Sequence, residues 1–186
     1  MRIYVIGGKA KSGKNTLGEL IKEELKEYGY RPCILRITEP LYAYARNHFE
    51  WNEEQDEKPR EFLQKMGIEI IKEKLGKKDF LLNRLYEDIE ILSNFFDAFI
   101  ITDARLKNEF NDIKNRYSEV VTIKLERNNY KDKLTDEEKN HITEKDLDNY
   151  TNFDYIINNK SLNDLKIQAK EIVSKTEQNK GGVLWV

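Results

Sequence analysis

The chain has 186 residues, with 32 Lys and Arg against 34 Asp and Glu, so its formal net charge is −2 although 35% of its residues are charged. That length is enough for one domain with a sizeable core, and the near-neutral balance excludes a globally basic nucleic-acid binder and an acidic tail. The single cysteine, Cys33, excludes an intramolecular disulfide. No apolar run reaches bilayer length and no secretory leader is recognisable, so the expectation is a cytoplasmic protein with neither membrane nor direct nucleic-acid partners.

The chain enters at once into an apolar strand, residues 2–6. Gly7-Gly8-Lys9-Ala10-Lys11-Ser12-Gly13-Lys14-Asn15-Thr16 follows, then an amphipathic helix over 14–28 with Leu17, Leu20, Ile21 and Leu25 on one face. Strand, glycine-rich turn, helix is the setting of a phosphate-binding loop, and Gly8 with Gly13-Lys14 has the spacing G-x-x-x-x-G-K. Glycines let backbone N–H groups turn toward anionic oxygens, the helix N-terminus adds its positive dipole end, and Lys14 can reach β- and γ-phosphates. Lys9, Lys11 and Ser12 add cationic and hydroxyl partners. Asn15 stands where Ser or Thr commonly ligates magnesium, with Thr16 next, which leaves open whether a side chain or a water touches the metal.

Pro32 to Ile37 reads as a second strand, making a βαβ unit of a parallel sheet. A helix starts at Thr38-Glu39-Pro40, and Glu50 to Lys58 is a polar connector. Pro59 to Gly76 reads as one α-helix with Phe62, Met66 and Ile70 at i, i+4, i+8, and 79–95 as another. Ala98 to Asp103 is a buried third strand. Asp103 ends it at the edge where open parallel sheets place ligands, and is a candidate for the magnesium shell, through water, or for an N-cap of the helix over 107–116. Residues 119–125 form strand 4, 128–149 are polar without periodicity, 153–157 form strand 5, and 161–176 the last helix.

The segments GKAKSGKNT, ITEPLYAYA, KPREFLQKMGIEI, IITDARLKNEF and HITEKDLDNYTNFDYIINN, in this order, resemble the deoxynucleoside monophosphate kinases of phages and bacteria. The form G-K-x-T is also that of nucleoside monophosphate kinases. The resemblance runs from about residue 3 to about 173. It implies one three-layer α/β P-loop kinase domain over 1–186, with a five-stranded parallel sheet in the order 2-3-1-4-5. It further implies acceptor-binding helices at about 40–95 and a lid at about 127–149.

The implied reaction passes the γ-phosphoryl of ATP, with Mg2+, to the phosphate of a nucleoside or deoxynucleoside monophosphate. Such a transfer asks for cations around both phosphates and no general base. Arg105, two residues past Asp103, could grip acceptor or γ-phosphate; Arg60 could bind the acceptor phosphate; Arg127, opening the lid, could reach ATP. Glu39, with Tyr42, Tyr44 and Trp51, is a candidate nucleoside pocket or else a core stripe. His141 and Glu144 read as capping and lid packing rather than a metal pair. Arg46 and Arg84 receive no role. The apolar end, Val183 to Val186, could dock on the body or on a second subunit. Animal-type phosphomevalonate kinases have a related layout, so a non-nucleotide phosphate acceptor stays open, as does a non-catalytic ATP-binding module. No base-specifying motif of the GTPase kind is present.

Overall fold

The computed structural model describes residues 1–52, 59–127, 135 and 140–178. Five strands form one parallel sheet: β1 Arg2–Gly7, β2 Pro32–Leu35, β3 Ala98–Ala104, β4 Val120–Glu126 and β5 Tyr155–Asn158. Their spatial order is β2-β3-β1-β4-β5, as the resemblance implied. The helices are α1 Lys14–Glu27, α2 Glu39–His48, α3 Arg60–Gln64, α4 Phe80–Leu92, α5 Lys107–Arg116, α6 Ile142–Lys145 and α7 Leu162–Gln178.

The period-two alternation of buried strands distributes each apolar run between two layers. Ile3, Val5, Phe99 and Ile101 face a core with Leu41, Ile71, Leu85, Ile89, Phe110 and Ile113. Tyr4, Ile6, Ile100 and Ile123 face the other, with Leu17, Ile21 and Leu25 of α1 and Leu165, Ile172 and Val173 of α7. Leu162 and Ile167 of α7 point to solvent. Among the described residues no helix is long and apolar enough to cross a membrane.

Two departures from the sequence reading matter for the site. The helix expected over 59–76 is α-helical only over Arg60–Gln64 and continues as a π-helix over Lys65–Lys74, with Leu75 N–H donating to Ile70 O, five residues back. The wider turn changes the facing set: Gly67 and Ile71 are buried, Met66 is only partly buried, and Leu75 is exposed. The second departure is a register shift between β1 and β3. Val5 pairs with Ile101 but Gly7 with Ala104, so the extra residue of a bulge falls at Thr102-Asp103. A bulge re-aims the side chains at a strand end.

Residues 53–58 of the connector, the apolar tail, and 128–134 and 136–139 of the expected lid lie outside the described residues. Its remainder, 140–149, carries α6, a helix too short to show in the apolar pattern.

Asp154 ties β5 to β4. Its carboxylate accepts the Thr122 N–H and hydroxyl, both at 2.7 Å, and pairs with Lys114 at 3.2 Å. Burial opposes its ionisation, but the Thr122 bonds and Lys114 outweigh burial and hold the carboxyl below its ordinary value. A carboxyl lowered in the folded state stabilises above the unfolded pKa and loses that contribution as pH falls through the folded one. Asp154→Ala is therefore expected to cost about 2 kcal/mol at neutral pH. In urea melts at a series of pH values, the gap to the parent protein should narrow as pH drops below 3.8.

Candidate active site

The loop Gly8 to Gly13 leaves β1 and turns back into α1. Two of its glycines occupy backbone conformations that side chains rarely adopt, Gly8 at φ 142° and Gly13 at φ 104°. Space adds a second requirement: a Cβ on Gly8 would stand 2.1 Å from the Leu125 carbonyl oxygen, and one on Gly13 2.6 Å from Asn159 Nδ2. Asn159, just past β5, donates from that nitrogen to Ser12 O at 2.8 Å and so pins the loop from the sheet side. Lys14 is buried; its Nζ donates to Gly8 O at 2.9 Å and Lys9 O at 2.7 Å, folded back over the loop. Ser12 is buried beneath it.

A cavity of about 370 Å³ opens beside the loop. Lys11, Gly13, Lys14, Asn15 and Thr16 line one side, and Asp103 and Arg105 line the floor at the end of β3. Arg60, Leu63, Gln64, Gly67, Ile68 and Lys72 come from α3 and the π-helix, with Thr38 and Leu41 from the start of α2. Arg60, Leu63, Gln64, Gly67, Ile68 and Lys72 form one stripe along α3 and the π-helix, recurring every three or four residues.

The cavity thus gathers Lys11, Gly13, Lys14, Asn15, Thr16, Arg60, Asp103 and Arg105, most of the residues singled out in the sequence. Gly8, Lys9 and Ser12 shape the loop without lining it; Lys9 instead pairs with Asp148 at 2.9 Å. Glu39 is not brought to the cavity. It pairs with Arg46, seven residues on in the same helix, at 2.6 Å, and Tyr42 packs on Trp51 with ring centroids 5.4 Å apart. That stripe is packing rather than a wall of this cavity. Arg127 is exposed and donates to Lys11 O at 3.4 Å, at the outer side of the loop.

Asp103 does not cap α5. Its carboxylate accepts Ile37 N–H at 2.8 Å, Thr38 N–H at 3.0 Å and the Thr38 hydroxyl, and so holds the β2–α2 turn against β3. The cap is Glu109, whose Oε2 accepts the N–H groups of Arg105 at 2.7 Å and Leu106 at 2.9 Å. Burial pushes the Glu109 carboxyl up, while these two bonds pull it down. A Glu three residues inside a helix start is half of a capping box and could have been read from the sequence. Lys72, Gln64 and Glu144 could not, because only the tertiary fold brings them here. His141 caps α6, its Nδ1 accepting from Thr143 N–H at 3.3 Å. Among the described residues no group of three or more His, Cys, Asp or Glu side chains gathers as a metal site.

A family model for deoxynucleotide monophosphate kinase matches residues 43–169, more than half of the chain. The chain belongs to the deoxynucleotide monophosphate kinase family. The match begins after the phosphate loop, so loop and family point the same way from separate stretches. Solved kinase structures share the fold of this family member. The APS kinase CysC of Mycobacterium tuberculosis in complex with AMPPNP and APS aligns at TM-score 0.57 and 12% identity, over 95% of this chain and 97% of that one. A sugar kinase from Janibacter sp. HTCC2649 aligns at TM-score 0.53 and 11% identity, over 94% and 95%. A gluconokinase from Sinorhizobium meliloti 1021 aligns at TM-score 0.50 and 12% identity, over 96% and 94%. At these identities the likeness concerns the fold. No curated protein matches the chain. Family and fold together make it a P-loop kinase that phosphorylates a small substrate.

In this kinase, Lys14→Ala should leave the fold intact, as its ammonium bonds loop carbonyls rather than the core. Phosphoryl transfer should fall by about 10²–10³-fold or more, the usual loss on removing one preorganised donor. Far-ultraviolet circular dichroism and steady-state kinetics check the two halves.

Proposed function

We propose that the protein transfers the γ-phosphoryl group of ATP to the phosphate of a nucleoside or deoxynucleoside monophosphate. The observation that carries this reading is the two-sided cavity, which joins the phosphate loop to a second wall both apolar and cationic. Leu41, Leu63, Ile68 and Leu81 suit the faces of a planar base, and the Gln64 amide can donate to and accept from a base edge. Arg60 and Lys72 on the same wall suit the acceptor phosphate, and Arg105 stands between the two sides. Phosphomevalonate, a small acyclic acceptor with no planar ring, would cover less of the apolar wall than a nucleoside base does.

The residues do the following in this reading. Loop N–H groups and the α1 N-terminus bind the ATP phosphates, and Lys14 exchanges its loop carbonyls for phosphate oxygens. Arg60 and Lys72 hold the acceptor phosphate, and Arg105 neutralises charge on the group in transit. The acceptor oxygen is already anionic near neutral pH, so no side chain need remove a proton. The donor set fits magnesium brought in by the nucleotide: Asn15 and Thr16 line the cavity as neutral oxygen donors, and a carboxylate has about four lone-pair positions, leaving Asp103 room to accept from a metal-bound water. When bound, such an ion would supply positive charge that offsets the negative charge of the phosphates.

The test is ADP release from ATP and magnesium with a panel of ribo- and deoxyribonucleoside monophosphates, and with phosphomevalonate, as separate acceptors. Turnover with one or a few nucleotides is expected. Turnover with phosphomevalonate alone would replace the acceptor class, and ATP binding without any acceptor-dependent turnover would make the protein a binding module. Arg60→Ala should raise the acceptor KM by about tenfold, as expected for loss of one charge-assisted contact, with the ATP KM little changed.

A further inference from the structure

A carboxylate stands among the donors of the phosphate loop. Glu144 lies on α6, far along the chain from the loop, and its side chain is only 8% exposed. Its Oε2 accepts the Ala10 N–H at 2.9 Å, and its Oε1 pairs with Arg105 Nη1 at 2.7 Å. Both oxygens are used, and they join two parts of the site that no strand or helix connects. The residues around it dock the segment in the same sense. Asp146 accepts the Lys107 N–H at 2.7 Å, and Asp148 pairs with Lys9 at 2.9 Å. Those two outer pairs are solvated and contribute little individually, whereas the Glu144–Arg105 pair is screened from water.

An arginine has long side-chain freedom, and a guanidinium placed about 1 Å off its productive position loses much of its effect on a transferring group. Arg105 is restrained at both ends: Glu109 accepts its backbone N–H, and Glu144 its guanidinium. We infer that Glu144 is the positioning residue for Arg105, fixing the guanidinium beside the front of the phosphate loop so that it meets the phosphoryl group already oriented. Glu144 lines the cavity, but both its oxygens are taken by Ala10 and Arg105, so its part in the transfer runs through Arg105. The inference rests on the phosphoryl-transfer reading of this site, though not on the identity of the acceptor.

Glu144→Gln keeps the shape and one acceptor oxygen and removes the charge that holds the guanidinium. It should lower kcat by about 10- to 100-fold with the ATP KM within about threefold. The same split should appear without an acceptor, by calorimetry. Affinity for ADP should stay within about threefold of the parent, while the additional affinity for ADP with magnesium and aluminium fluoride, a mimic of the group in transit, should fall by about the factor seen in kcat. In an Arg105→Ala background the substitution should have no further effect. Glu144→Asp, which retains the charge, should recover part of the loss, and is the variant to read if Glu144→Gln melts out at assay temperature. An unchanged kcat, an equal loss of ADP affinity, or an undiminished effect without Arg105 would overturn the inference. A parent protein that binds ADP more tightly with aluminium fluoride yet phosphorylates no nucleotide would overturn the acceptor assignment alone. The Glu144 comparison would then still be decided by ADP binding.

Discussion

The site depends on how closely the phosphate loop is pressed onto the ends of three strands. Gly7 pairs with Ala104 on one side and Lys124 on the other, and Gly8 lies against the Leu125 carbonyl with no room for a side chain. The central position of β1 produces this contact. A strand flanked by two parallel neighbours has its C-terminal end enclosed by theirs, so the loop that follows is set beside whatever ends β3 and β4. The bulge at Thr102-Asp103 uses that proximity. It lets Asp103 reach across to the β2–α2 turn while Arg105 remains beside the loop and lines the cavity.

The electrostatics of the cavity follow from where its acids are used. Asp103 accepts backbone N–H groups of the β2–α2 turn, Glu109 accepts those at the start of α5, and Glu144 is shared between Ala10 and Arg105. Each carboxylate supports the shell, and the lining cations Lys11, Lys14, Arg60, Lys72 and Arg105 come from three separate stretches of chain. A chain of net charge −2 can therefore present a concave surface suited to polyanions. Global charge excluded a broadly basic protein but said nothing about this local field.

Much of the architecture was legible because it rests on local rules. Apolar runs of strand length, a glycine-rich turn before an amphipathic helix, and an acid at the end of β3 each announce themselves within about ten residues. The segment 59–76 shows where local rules stop. Its i, i+4, i+8 apolar spacing fits an ordinary α-helix, yet Lys65–Lys74 is a π-helix, Gly67 lies close under Leu41, and Leu63, Gly67, Ile68 and Lys72 line the cavity. Glu39, whose position beside aromatic residues suggested a pocket, lies outside the lining of this cavity and pairs with Arg46 on the same helix.

The sequence by itself determined the phosphate loop, the strands as segments, and the candidacy of Lys14, Asp103, Arg60 and Arg105, because spacing and residue chemistry within one segment carry that information; the sheet order came from the family resemblance. Only the tertiary structure decided which of these share a cavity and what holds them there. Asp103 braces a turn rather than capping α5, Glu109 caps in its place, and Glu144 reaches the loop from the far end of the chain. Those outcomes depend on strand register, on a one-residue bulge and on the docking of a four-residue helix. All three are settled by long-range packing, which leaves no periodic trace in a linear sequence.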